Sequence, residues 1–223
     1  CKSATADHEY IARKLGLPDG LGVYSGSLTI AGQSLDGALA LPCLSLSGDL
    51  ASLQFIPPEG KKVFLPGVKL PADACLFIGD IREGRPVYLV EGIGQAWSAH
   101  QSTSCAAVVC FGWGRVAGVA EALRAKYPSA RLVIVPDAGK EEQAAAIARK
   151  INGAFCEMPE GSPRNFDLND LHQSESLQAV ANLLQQAKAP PRRFRVLTPA
   201  DIAALPPVRW RVRGVLPADG IAA

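Results

Sequence analysis

From residue 86 onward, short apolar β-type runs alternate with helix-length amphipathic segments, and this alternation restricts the possible folds more than any other feature of the chain. Residues 87–90 are followed by 92–100, 105–111 by 116–127, and 131–135 by 140–152, with a last apolar run at 154–157. Strands that return through a helix-length crossover pair in parallel, because a tight hairpin cannot connect them. Residues 86–188 are therefore expected to form an α/β domain, a parallel sheet flanked by helices. Its final helix is predicted over 174–188, where Leu177, Val180, Leu183 and Leu184 fall on one stripe.

The chain before residue 86 has a different texture. A helix is predicted over residues 6–15, then short strand-like runs at 21–24, 28–30, 38–41, 50–56 and 63–65. Pro57-Pro58-Glu59-Gly60 is a turn signal between the last two, which predicts a hairpin. Residues 1–85 thus read as a smaller α+β subdomain, mainly antiparallel. Residues 189–223 differ again: Arg192, Arg193, Arg195, Arg209, Arg211 and Arg213 are interleaved with prolines, as in a basic linker leading to another domain, so the chain reads as a piece of a longer protein.

Hydrophobic residues at 48% and charged residues at 20% rule out a disordered chain. No run approaches the roughly 20 apolar residues that span a bilayer, and no basic-then-apolar leader opens the sequence, so a soluble, cytoplasmic protein is expected. The net charge of +2 gives no global electrostatic case for nucleic acid, so any such case must be local. Six cysteines without a C-x-x-C pair, and three histidines, give no zinc pattern.

In an open parallel sheet, functional groups gather beyond the carboxyl ends of the strands. Here those ends are acidic: Glu91 follows the first strand, Asp137 the third, and a loop after the fourth holds Asp167 and Asp170. Such carboxylates can converge on a hard divalent cation, and magnesium, which needs only one or two of them plus substrate phosphates, is the natural candidate, with manganese as its substitute. Taken singly, Glu91 also reads as an acid favoured by a helix dipole and Asp137 as a turn former. Lys61, Lys62, Lys69, Arg82 and Arg85 could form a local basic edge that holds template phosphates, or simply a solvated hairpin. Trp113 and Arg115, expected in a flexible loop after the second strand, could stack on a base, or Trp113 could pack against the domain.

The run Val87 to Gly92, the strand ending in Asp137 and the Asp167-Leu168-Asn169-Asp170-Leu171-His172 segment together resemble the Toprim domain, a Rossmann-like fold. They are most similar to the version found in primases and primase-helicases of plasmids, phages and integrated elements. Residues 8–14, 50–56 and 60–67 resemble the subdomain that precedes Toprim there, so the likeness covers about residues 7–187. The resemblance implies a DNA primase core that makes short RNA primers on single-stranded DNA from ribonucleoside triphosphates. It gives catalytic roles to Glu91, Asp137 and Asp170, and magnesium ligation to these with Asp167. Residues 210–217 resemble the entry to a RecA-like helicase domain, and no G-x-x-x-x-G-K-S/T phosphate loop is present. One departure is plain: the family has a D-x-D pair, whereas this chain reads Asp137-Ala138-Gly139. A Toprim nuclease and a non-catalytic nucleic-acid-binding module are the alternatives; a topoisomerase would need a tyrosine-bearing companion domain.

Overall fold

The computed structural model describes residues 1–58, 61–191, 198–204, 210–212 and 216–217. The chain divides into two compact units, Cys1–Pro190 and Pro191–Ala223.

The first half of the larger unit is built from hairpins. Strand β1 (Lys2–Ser3) precedes helix α1 (Glu9–Arg13), and β2 (Gly22–Val23) is followed by a small separate ribbon of β3 (Thr29–Ile30) and β4 (Gln33–Ser34). The long strands β5 (Leu39–Leu44) and β6 (Leu50–Ile56) form a hairpin closed at Ser45, whose carbonyl accepts the Gly48 amide at 2.9 Å. With β7 (Val63–Phe64) they complete an antiparallel sheet in the order β1-β2-β5-β6-β7. The expected 50–56/63–65 pairing is present, although Glu59 and Gly60 of its turn lie outside the described residues.

The second half has the predicted alternation. It runs β8 (Leu76–Ile78), β9 (Pro86–Val90), α2 (Ile93–Thr103), β10 (Ala106–Val109), α3 (Trp113–Lys126), β11 (Arg131–Ile134), α4 (Glu141–Lys150), β12 (Ala154–Phe155), α5 (Leu168–Ser174) and α6 (Leu177–Gln185). Strand order is β12-β11-β9-β10-β8, with β12, β11, β9 and β10 parallel and β8 antiparallel at the edge. Because β9 leads to β10 on one side and the chain then returns to β11 on the other, the strand order reverses beside β9. That is where an open α/β sheet leaves a crevice.

Both faces of the sheet are covered, as parallel strands require. Val87 and Leu89 point into a core with Val116, Val119 and Leu123 of α3 and Ala144 and Ala148 of α4. Tyr88 and Val90 point the other way, into a core with Ile93 and Trp97 of α2, Leu168 of α5 and Val180 of α6. This second core also takes in Leu39, Leu41 and Ile56 of the antiparallel sheet and Tyr10 and Ile11 of α1, so the two sheets share it. Its largest member is Trp97, fully buried, 6.2 Å from the Tyr10 ring. The backbone at Gly16 rests directly on that indole: a Cβ there would lie 2.2 Å from a Trp97 ring carbon, so no larger residue fits without moving the ring.

Four details differ from the sequence reading. Strand β8 lies in the segment assigned to the first subdomain, yet it pairs with β10 of the second sheet. The predicted helix 174–188 is two helices, because Ser176 caps α6 anew with its hydroxyl on the Ala179 amide. The expected acidic loop is the start of α5, and Trp113 and Arg115, expected in a loop, form the first turn of α3. Five of the six cysteines are buried free thiols, and burial pushes the pKa of Cys43, Cys75 and Cys156 up to about 12.

In the smaller unit a short helix, α7 (Pro199–Ala203), and an antiparallel pair, β13 (Trp210–Val212) with β14 (Leu216–Pro217), occupy the stretch read as a linker. Arg192, Arg193, Arg195, Arg209 and Arg213 lie outside the described residues. No helix among the described residues is long and apolar enough to cross a membrane.

Candidate active site at the strand-order reversal

Strands β9 and β11 are hydrogen-bonded neighbours, so the residues after their carboxyl ends emerge side by side. Glu91 follows β9 and Asp137 follows β11, and their carboxylates meet on one cation. The Lys140 ammonium donates to Glu91 Oε2 at 2.7 Å and to Asp137 Oδ2 at 2.6 Å. Burial works against the Lys140 charge, but these two hydrogen bonds and the two negative charges outweigh it and hold the ammonium pKa above its ordinary value.

Asp137 is the inner acid of the pair, 7% exposed. Its second oxygen, Oδ1, accepts from Gln95 Nε2 at 2.6 Å. Gln95 sits in the first turn of α2, four residues after Glu91, and its Oε1 accepts the Glu91 amide at 3.4 Å. Gln95 thus links the segments that follow β9 and β11. The Asp137 turn is further fixed to the segment before α5, where the Ala138 amide donates to the Phe166 carbonyl at 2.9 Å and the Asn165 amide to the Ala138 carbonyl at 3.1 Å.

Asp167 and Asp170 have different work. Asp167 is the N-cap of α5, accepting from the Asn169 and Asp170 amides at 2.7 and 2.9 Å, while Asp170 Oδ2 accepts the Asp167 amide at 3.1 Å. This reciprocal arrangement satisfies the free amides of the first helical turn. Burial raises the Asp167 pKa, and the nearby Asp170 charge adds to the rise against the hydrogen bond from the Asp170 amide. The other Asp170 oxygen faces Lys14 Nζ at 3.7 Å.

Of the four acids expected to form one ligand set, the structure brings Glu91 and Asp137 together on Lys140 and pairs Asp167 with Asp170 at the start of α5. Among the described residues no group of three or more His, Cys, Asp or Glu side chains is placed to hold a metal ion. The physical reason is the helix: capping α5 directs Asp167 and Asp170 at its own backbone, and Lys140 stands at the focus of the remaining pair. A magnesium ion takes oxygen ligands at about 2.0–2.1 Å, and the Lys140 ammonium stands where those of Glu91 and Asp137 converge.

The residues expected to bind nucleic acid separate. Lys62, exposed on β7's approach, comes to the residue after Glu91: its Nζ lies 3.4 Å from where a Gly92 Cβ would be, and 5.8 Å from the centre of the Tyr10 ring. Lys61 is exposed, its backbone paired to the Gln33 side chain. Trp113 lies beside the site, with Lys140 Nζ 5.2 Å from its ring centre and its indole N–H donating to Gln143 Oε1 at 2.5 Å. The Arg115 guanidinium is turned to the carbonyls of Cys110, Pro71 and Ala74, fastening the 71–74 segment to the end of β10. Arg85 donates to the Thr103 carbonyl at 2.9 Å, at the amino end of β9 and so at the opposite edge from Glu91, with Arg82 in the turn before it. Lys69 is exposed in the segment after β7. Sequence reasoning missed Lys140, Gln95 and Lys14. The spacing Glu91/Gln95 and Asp137/Lys140 was the available signal, since residues three or four apart share a helical face or turn.

No protein-family model matches the chain. Solved structures do resemble it. The zinc-binding and RNA polymerase domains of Aquifex aeolicus primase superpose with a TM-score of 0.61 at 14% identity, over 83% of this chain and 56% of that one. A DnaG primase catalytic domain bound to single-stranded DNA gives 0.59 at 15% identity, over 83% and 72%. The RNA polymerase domain of Mycobacterium tuberculosis primase DnaG, in complex with a double-stranded DNA oligomer with a 6-nucleotide overhang, gives 0.55 at 17% identity, over 84% and 75%. The chain has the fold of the DnaG-type primase catalytic core, the fold class its sequence resembles.

Proposed function

We propose that this chain is the catalytic core of a DNA primase, a nucleotidyltransferase that joins ribonucleotides on a single-stranded DNA template. The observation that carries the reading is the meeting of Glu91 and Asp137 on one cation at the strand-order reversal of a primase-core sheet. The DNA present in the similar primase structures supports the choice of template.

In the reaction, the 3′-hydroxyl oxygen of the growing strand bonds to the α-phosphorus of a ribonucleoside triphosphate, and the bond to the pyrophosphate oxygen breaks. Magnesium enters as part of the nucleoside triphosphate substrate. Glu91, with a side chain 34% exposed, is the acid of the pair open to substrate, and it accepts the hydroxyl proton. Asp137, held by Gln95 and Lys140, fixes the turn that brings Lys140 to Glu91. Lys62, beside Gly92, and Lys14, beside Asp170, offer positive charge to template or nucleotide phosphates. In this proposal the chain works beside a RecA-like helicase domain of a longer mobile-element protein.

A second reading, a non-catalytic nucleic-acid-binding module, draws on the glycine at position 139 and the acid pair bridged by Lys140. Template-dependent incorporation of labelled ribonucleotides on single-stranded DNA separates the two. The primase reading expects short RNA products that require both template and ribonucleoside triphosphates. DNA binding without any product supports the module, and loss of supercoiled plasmid with magnesium but no nucleotide would point to a nuclease.

A further inference from the structure

The turn at residues 137–140 has Gly139 where the resemblance would put a second acid, and a cation, Lys140, at the next residue. Its amide–carbonyl bond runs from Lys140 to Asp137 at 3.1 Å, and Gly139 has φ +90°, in the left-handed region that favours glycine. An aspartate at that position would add backbone strain as well as charge. The same turn carries the Lys140 side chain inward over the Trp113 ring, which its bond to Gln143 holds in place. The Lys140 side chain is 22% exposed and ends on Glu91 and Asp137 together.

We infer that Lys140 is the resident cation of this site: its ammonium occupies the point where Glu91 and Asp137 converge and keeps a divalent ion from binding there to the chain alone. A magnesium or manganese ion entering that point would meet a positive charge at contact distance. It would also gain few oxygens, because Asp137 already gives Oδ1 to Gln95 and because Asp167 and Asp170 cap α5. Removing the ammonium leaves two adjacent carboxylates uncompensated, the condition under which a hard cation binds. The inference rests on the primase reading only for which site is meant.

Titration of the whole chain with Mn2+ and no nucleotide, following free Mn2+ by electron paramagnetic resonance, tests it. Lys140→Met, which keeps an unbranched stem over Trp113, and Lys140→Ala are both expected to bind Mn2+ at least about tenfold more tightly than the wild type. The double variant Glu91→Gln/Lys140→Met is expected to fall back to the wild-type value. Wild-type binding as tight as that of either folded Lys140 variant overturns the inference, as does a gain that survives Glu91→Gln. A wild-type chain that makes primers and also binds Mn2+ tightly overturns this inference and leaves the primase reading intact. A chain that makes none while its Lys140 variants gain the ion does the reverse.

Discussion

Asp137→Asn is expected to lower primer synthesis by about 10²-fold while single-stranded DNA binding stays within a few-fold of wild type. The substitution keeps shape and volume but removes the charge that Lys140 and Gln95 both face. The introduced carboxamide would keep one oxygen, which can satisfy either Gln95 Nε2 or Lys140 Nζ, and its new amide group would oppose the other donor. Lys140 would then face one full negative charge, that of Glu91, in place of two, and the geometry that sets Glu91 at the edge of the sheet would loosen. Because Asp137 is buried, the variant should also melt lower, by about 2–4 °C for each kcal/mol lost in a chain of this size. Gel-resolved primers and a thermal melt on the same preparation separate the two effects. Full activity in the variant would remove Asp137 from the site.

The second large effect is on folding. Trp97→Ala should destabilise the larger unit by about 3–5 kcal/mol, the range for emptying a fully buried large aromatic position. Trp97 is the side chain on which α1, the Gly16 backbone and the shared core of the two sheets rest. Gly16, which rests on that ring, has no side chain to fill the space it would leave. Chemical denaturation read by circular dichroism measures the loss, and a change below about 1 kcal/mol would mean that the core closes over the gap in a way the packing gives no reason to expect.

The sheet was legible because its signal is local. Each apolar run from Val87 onward is followed by a crossover segment, and parallel pairing follows from that alternation alone. β8 was not legible, since Leu76-Phe77-Ile78 is three residues long and an antiparallel edge strand has no crossover to announce it. α5 was legible in principle: Asp167 and Asp170 around Leu168 and Leu171 have the spacing of a capping box, the same two acids that invite a ligand reading. Only the fold shows which oxygens the cap takes, Asp167 Oδ1 and Asp170 Oδ2. Lys140 shows the other limit. Its link to Asp137 is three residues long and readable, but its link to Glu91 spans forty-nine and exists only because β11 lies against β9. Arg115 and Arg85 could not be assigned from sequence, since a guanidinium on backbone carbonyls and one facing phosphate look alike in a string of letters.

Glu91 is the group through which the acid pair would touch substrate, so its charge is the most direct thing to remove. Template-dependent RNA synthesis by Glu91→Gln should be compared with that of the wild type and of Glu121→Gln, a control acid of α3 paired to Lys150 outside the site. Primers from the wild type and from Glu121→Gln, with at least about a hundredfold fewer from a folded, DNA-binding Glu91→Gln, are the predicted result. Equal primer yields from all three chains would contradict it.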